Sequence, residues 1–273
     1  MAVSFSKPAQ VFTGLLLTLK AVTAQGNIDT QGQWGDLIEF PLIPVAAAIV
    51  PAHNHSTQLF TYSAYANFKF GGQTGRTQSA WLNLETGDIR HAEVANTGHD
   101  MFCPGMTSDV DGKIFVTGGQ NAEVTSIYDF EAQSWTRGPD MAIPRGYQSS
   151  CITSKGEIFQ IGGSFSGGIG GQNNAPLKNG EIFRNGQWDL LTGAKVDQML
   201  TTDHEGPWRT DNHAWLYGWR DGYVFQAGPS SEMHWYDTNG DGAVQAGGVR
   251  TSDGKDQMCA PVSNHFITQL CIR

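Results

Sequence analysis

Four glycine-bearing triplets punctuate the chain: FGG at 70–72, TGG at 117–119, IGG at 161–163 and QAG at 226–228, each closing a short run of strand-forming residues. The first three recur every 44 to 47 residues. After TGG come Tyr128, Asp129 and Trp135; after IGG come Glu181, Ile182, Phe183 and Trp188; after QAG come Trp235, Tyr236 and Asp237. Self-similarity at such a period marks one supersecondary unit used several times. Runs of Val, Ile, Phe and Tyr alternate with clusters of Gly, Asn, Asp and Ser, and no long helical period interrupts them. Each unit therefore reads as a group of short antiparallel strands.

A glycine doublet, an aromatic pair and a tryptophan at this period match a kelch-type repeat, one four-stranded blade of an all-β propeller. The glycines relax the backbone where strands crowd, and the tryptophan is expected between blades. Register then places an isolated cysteine. Cys103, in HDMFCPG, lies 15 residues before Gly118, and Tyr147, in RGYQSS, lies 15 residues before Gly162. The same count from Ala227 reaches Asn212. Equivalent positions on neighbouring blades stand side by side around the axis, so a thiol and a phenol are expected together near the channel mouth. Spacing alone fits equally well a small buried thiol and a core tyrosine.

With 273 residues the chain can bury one sizeable core or two modest ones. A net charge of -9 and the lack of any Lys/Arg cluster leave no electrostatic footprint for nucleic acid. A neutral or polar small molecule is the better fit. Lys7, the apolar run VFTGLLLTL and the small-residue stretch AVTA form a secretory signal with a cut after Ala24, although Lys20 interrupts it. The run is too short to span a bilayer. Residues 1–24 are thus read as a signal peptide of a secreted, extracellular protein with no membrane partner, 25–258 as a partial propeller, and 259–273 as an unrelated tail. Cys103, Cys151, Cys259 and Cys271 have neither the density nor the spacing of a disulfide scaffold.

Two metal-like patterns are read as turns. His53 and His55 form an H-x-H pair without a third ligand at suitable spacing. DTNGDGAVQAGG begins like a calcium loop, but its twelfth position is Gly248 where glutamate is required. Asn54, His55 and Ser56 make a glycosylation sequon on an expected loop.

The stretches HDMFCPG, VTGGQNAEVTSIYD, RGYQSS, IGGSFSGG, KNGEIF, TDNHAWLYGW and VFQAGPSSEMHWYDT closely resemble the fungal copper radical oxidases of the galactose oxidase and alcohol oxidase type. The resemblance runs from about Gly32 to about Cys259. It implies a kelch propeller of seven blades with one copper near its axis, of which about three to four blades are present here. It also implies that Cys103 forms a thioether to the ring of Tyr147, and that this modified phenolate is a copper ligand and the seat of a radical. Phe165 would stack over the pair, where galactose oxidases commonly carry tryptophan. Arg209 would bind substrate hydroxyls beside Trp208, while Phe70 and Phe102 would form apolar walls. His99 and His213 lie in matched stretches as scaffold residues.

The implied reaction takes a primary alcohol or sugar to an aldehyde and reduces O2 to H2O2, in a protein that is monomeric at full length. Phenylalanine at 165 favours alcohols over galactose. The match through TDNHAWLYGW argues against a glyoxal oxidase. The family's axial tyrosine and two histidines come from later blades, so this chain alone is expected to fold poorly and to be inactive. The alternative is a secreted kelch module that binds a glycan or protein without chemistry.

Overall fold

The structure, a computed structural model, describes residues 32, 34–51, 56–71, 74–168, 170, 176–199, 214–228 and 231–250. The chain divides into two units, Met1–Glu39 and Phe40–Arg273. The described residues of the first have no regular secondary structure. His53, Asn54, His55, Trp208, Arg209, Asn212, His213, Cys259 and Cys271 lie outside the described residues, as do 1–24 and 259–273.

Among the described residues of the second unit, sixteen strands form four sheets of four. Sheet 1 comprises β1 (Ala46–Pro51), β2 (Thr57–Tyr62), β3 (Thr77–Asn83) and β4 (Ile89–Val94). Sheet 2 comprises β5 (Gly105–Ser108), β6 (Ile114–Thr117), β7 (Thr125–Asp129) and β8 (Ser134–Arg137). Sheet 3 comprises β9 (Ser149–Ile152), β10 (Ile158–Ile161), β11 (Gly180–Arg184) and β12 (Gln187–Leu191). Sheet 4 comprises β13 (Trp215–Gly218), β14 (Tyr223–Gly228), β15 (Glu232–Asp237) and β16 (Ala243–Val249). Every sheet is a meander whose sequential strands pair antiparallel. Only short 3-10 turns, at Val196–Met199 and Arg220–Gly222, add helical structure among the described residues. No described helix is long and apolar enough to cross a membrane.

Strand β9 lies against both β5 and β13, so the first strands of sheets 2, 3 and 4 stand abreast. Burial follows from this arrangement. IFVT of β6 and IFQI of β10 are buried at every position, because side chains alternate across a sheet and each of these sheets is covered on both faces. The outer strand β8 buries only Trp135. Among the described residues three apolar clusters lie between sheets. Phe60, Trp81, Tyr128 and Trp135 join sheets 1 and 2, with Phe60 stacked on Tyr128 at 5.4 Å. Phe115, Ile158 and Trp188 join sheets 2 and 3, where the Trp188 indole N–H donates to Thr125 Oγ1 at 3.1 Å. Phe159, Ile182, Val224 and Tyr236 join sheets 3 and 4. Trp135 and Trp188 thus pack between blades as the repeat suggests, whereas Trp235 rests on Phe225 of the same sheet and on Trp219 in the β13–β14 connection.

One repeat assignment changes. FGG does not close a strand: β2 ends at Tyr62, and Phe70 lies in the connection to β3. The place held by Gly118 and Gly162 in the next two sheets belongs here to Ser63, whose N–H donates to the Gln78 carbonyl across the sheet as theirs do to Val124 and Lys178. Glycine is dispensable there, so composition misled the count. The calcium-like stretch is the β15–β16 hairpin, with Asn239 N–H donating to Asp237 Oδ1.

The second and third doublets have a steric reason to be glycine. Gly118 (φ 68°) lies so close to the Arg145 carbonyl oxygen that a Cβ would overlap it. A Cβ on Gly163 (φ 87°) would fall 2.7 Å from the Gly146 carbonyl oxygen and 2.8 Å from Gln148 N. Gly163→Ala should therefore destabilise the fold by roughly 2–4 kcal/mol in denaturant titration. A loss below about 0.5 kcal/mol, the size of an ordinary surface change, would contradict this packing.

Candidate functional site

Two loops converge where the first strands of sheets 2 and 3 meet. The first, residues 99–104, leads into β5 and is wired in from several sides. Thr77 Oγ1 donates to the His99 carbonyl and accepts from Met101 N–H, both at 2.8 Å. Asn121 Oδ1 accepts from Asp100 N–H at 2.7 Å. The buried His99 ring spans Ser126 Oγ and the Gly118 carbonyl, at 2.9 and 2.6 Å. A carbonyl only accepts, so Nε2 carries the proton and Nδ1 accepts from the Ser126 hydroxyl. Burial lowers this imidazole to about 4, which keeps it neutral.

The second loop, residues 144–148, leads into β9. Gly119 N–H donates to the Arg145 carbonyl at 2.9 Å, and Gln148 Nε2 donates to the Thr117 carbonyl at 2.6 Å. These bonds clamp the loop on either side of Tyr147. The consequence is direct: Tyr147 N–H donates to the Cys103 carbonyl at 2.8 Å. Cys103 (φ 59°) and Tyr147 (φ 61°) are both left-handed, a conformation uncommon for residues with a Cβ and one that surrounding structure must enforce. The buried Cys103 and half-buried Tyr147 occupy the same step of consecutive blades, as their spacing indicates.

Three further residues singled out in the sequence adjoin them. Phe165 packs its ring on Tyr147 with centroids 4.7 Å apart. Phe102 meets Phe165 edge-on at 6.3 Å, and exposed Phe70 stacks on Phe102 at 4.9 Å. Tyr147, Phe165, Phe102 and Phe70 thus form a continuous row of rings that ends at the surface. The connection holding Phe70 is therefore part of the site even though it is not a repeat doublet.

Residues beyond the sequence-based candidates hold this arrangement. Arg145 is fully buried and ion-paired with equally buried Glu181 at 2.9 Å. It also donates to the carbonyls of Gly162 and Lys178, at 2.8 and 3.1 Å, and to that of Asn179. Glu181 Oε1 accepts from Ala142 and Ile143 N–H. Burial alone would pull the Arg145 guanidinium down, and Glu181 opposes that pull. Buried Tyr62 contributes a hydroxyl with no hydrogen-bond partner among the described residues, raised above its ordinary value by burial and by nearby Cys103. No signal in the sequence marked Arg145 and Glu181, because their charges lie in RGYQSS and KNGEIF without any indication of burial.

Tyr147 is the described residue here whose phenolic oxygen the family resemblance offers to a metal. Among the described residues no group of three or more His, Cys, Asp or Glu side chains is placed to hold a metal ion. The described residues alone therefore do not make a copper site.

Antiparallel four-stranded blades with their first strands abreast define a kelch-type β-propeller, and the backbones of Cys103 and Tyr147 meet across one of its blade junctions. No protein-family model matches the chain. A galactose oxidase from Gibberella zeae (strain PH-1) is 47% identical over 235 residues, covering 84% of this chain and 33% of the relative; a second galactose oxidase from Gibberella zeae matches equally. A solved fungal alcohol oxidase of the AA5 family, in complex with copper, superposes with a TM-score of 0.73 at 42% identity over 83% of this chain and 46% of that one. The chain belongs to the galactose oxidase and alcohol oxidase family. It spans about a third of the length of the curated relatives it matches.

The buried acid beside the thiol loop yields a pH test. Burial raises Asp100 to about 6, and its Oδ2 has no hydrogen-bond partner among the described residues. Between pH 6 and 4 the folded chain gains a proton on Asp100 that the unfolded chain does not, which adds stability as pH falls. His99 acts oppositely, since only the unfolded chain protonates there. Asp100→Asn removes the offset, so its stability should fall more steeply on acidification than the wild type's, by up to about 1.4 kcal/mol per pH unit. Equal slopes in pH-dependent denaturation would contradict these environments.

Proposed function

We propose that this chain is part of a secreted copper-dependent oxidase that converts primary alcohols to aldehydes and reduces O2 to H2O2. The observation that carries the reading is the Cys103–Tyr147 pairing, in which two left-handed residues on adjacent blades share a backbone hydrogen bond beneath the Phe165 ring. Secretion rests on the N-terminal sequence alone.

In this reading the Cys103 sulfur bonds to a ring carbon ortho to the Tyr147 hydroxyl. The S–H and ring C–H hydrogens leave as two protons and two electrons, and O2 accepts them to give H2O2. Sulfur on the ring spreads an unpaired electron, so the phenol becomes easier to oxidise and its radical lasts longer. Tyr147, once oxidised by one electron to its radical, then takes one hydrogen atom from the carbinol carbon while the hydroxyl proton leaves to a base outside the described residues, and Phe165 keeps water from the ring. Copper, held by Tyr147 together with donors outside the described residues, would supply the second one-electron centre. The row from Phe165 through Phe102 to Phe70 offers apolar surface along the approach to Tyr147 and few groups for sugar hydroxyls. It favours aliphatic or aromatic primary alcohols over galactose, with Arg209 and Trp208 as the remaining contacts.

Peroxide release by the full-length, copper-loaded protein tests this. Turnover of benzyl alcohol should exceed that of galactose, and Cys103→Ser should eliminate both. Retention of wild-type turnover by Cys103→Ser would overturn the reading. Absence of copper uptake would favour a non-catalytic kelch module instead.

A further inference from the structure

Lys178 is a fully buried cation just ahead of β11. Its ammonium donates to carbonyl oxygens on two separate loops: Pro144, on the loop that carries Tyr147, and Ser166 and Gly167, at 3.3 and 3.4 Å, directly after Phe165. An ammonium has three donors and no acceptor, so three converging carbonyls replace the water it gives up. Arg145 does different work, tying the Tyr147 loop to the β10–β11 connection through Gly162, Lys178 and Asn179. The two loops also touch directly. Phe165 N–H donates to the Gly146 carbonyl at 3.3 Å, and a Cβ on Gly167 (φ 71°) would overlap Pro144.

We propose that Lys178 is a positioning residue that draws the Phe165 loop onto the Tyr147 loop and so keeps the Phe165 ring against the Tyr147 phenol. Its bearing on catalysis rests on the oxidase reading; its effect on Tyr147 exposure does not. Removal of the ammonium leaves three carbonyls that repel one another across the gap between the loops. The Phe165 ring then loses its fixed place, and Tyr147 opens to small reagents. A ring that is displaced intermittently would shield a phenoxyl less well than one held by a buried cation.

The test is nitration of metal-free, full-chain protein by tetranitromethane, mapped tyrosine by tyrosine by mass spectrometry. Buried Tyr128, in the core between sheets 1 and 2, serves as the internal reference for global unfolding. Lys178→Met should raise the Tyr147 rate on the order of tenfold, with Tyr128 within about twofold of wild type. Gly167→Ala pushes the same loops apart while leaving the ammonium in place, and it should raise the Tyr147 rate in the same direction. A Tyr147 rate unchanged in folded Lys178→Met overturns the proposal. If that variant unfolds and Tyr128 reacts as well, Gly167→Ala decides: a selective rise at Tyr147 supports the clamp, and no rise overturns it. Because no copper or turnover is involved, these results stand apart from the Cys103→Ser peroxide assay.

Discussion

The hydrogen bond from Tyr147 N–H to the Cys103 carbonyl joins two blades at the point where their first strands begin, and the site depends on it. Both residues are left-handed, and each loop comes close to the backbone of a glycine doublet, Phe102 to Gly119 and Arg145 and Gly146 to Gly118 and Gly163. Glycine at 118, 119 and 163 makes that approach possible. Left-handed geometry at two side-chain-bearing residues costs energy, of order 1–3 kcal/mol each, and persists only where surrounding contacts over-determine it. Thr77, Asn121 and Gln148 supply those contacts from three sides.

Charge completes the frame. A buried guanidinium, its carboxylate partner and a buried ammonium surround the Tyr147 loop, each satisfied largely by backbone carbonyls or N–H groups. A buried ion pair of this kind adds little net stability over an apolar substitute, but the loss of one partner is severe. Its value here is geometric. Arg145 and Glu181 fix the Tyr147 loop to β11, and Lys178 fixes it to the Phe165 loop, so the ring pair at 4.7 Å is set by rigid groups.

The strands and the meeting of the Cys103 and Tyr147 loops were legible in the sequence, because the repeat period converts into position around an axis, whereas the number of blades was legible only as three to four. Trp135 and Trp188 were legible for the same reason. The FGG assignment failed because Ser63 can make the hydrogen bond that Gly118 and Gly162 make, so sheet 1 shows no doublet at that step. The roles of Lys178, Arg145 and Glu181 were not legible, since a charged residue in a motif gives no sign of whether it faces water or the interior. Tyr62 was hidden likewise: its proximity to Cys103 links residues far apart in sequence, through packing between sheets that no local pattern encodes.

The relatives extend well beyond this chain, which covers about a third of the galactose oxidases and under half of the solved alcohol oxidase. What the described blades contribute is the thiol, the phenol and the aromatic row above them. Peptide mapping of the full-length, copper-loaded protein addresses that contribution most directly. The expected result is a single species in which the peptides containing Cys103 and Tyr147 are joined and lighter by two hydrogens than their sum. Recovery of an unmodified Cys103 thiol and an unmodified Tyr147 from copper-loaded protein would contradict it.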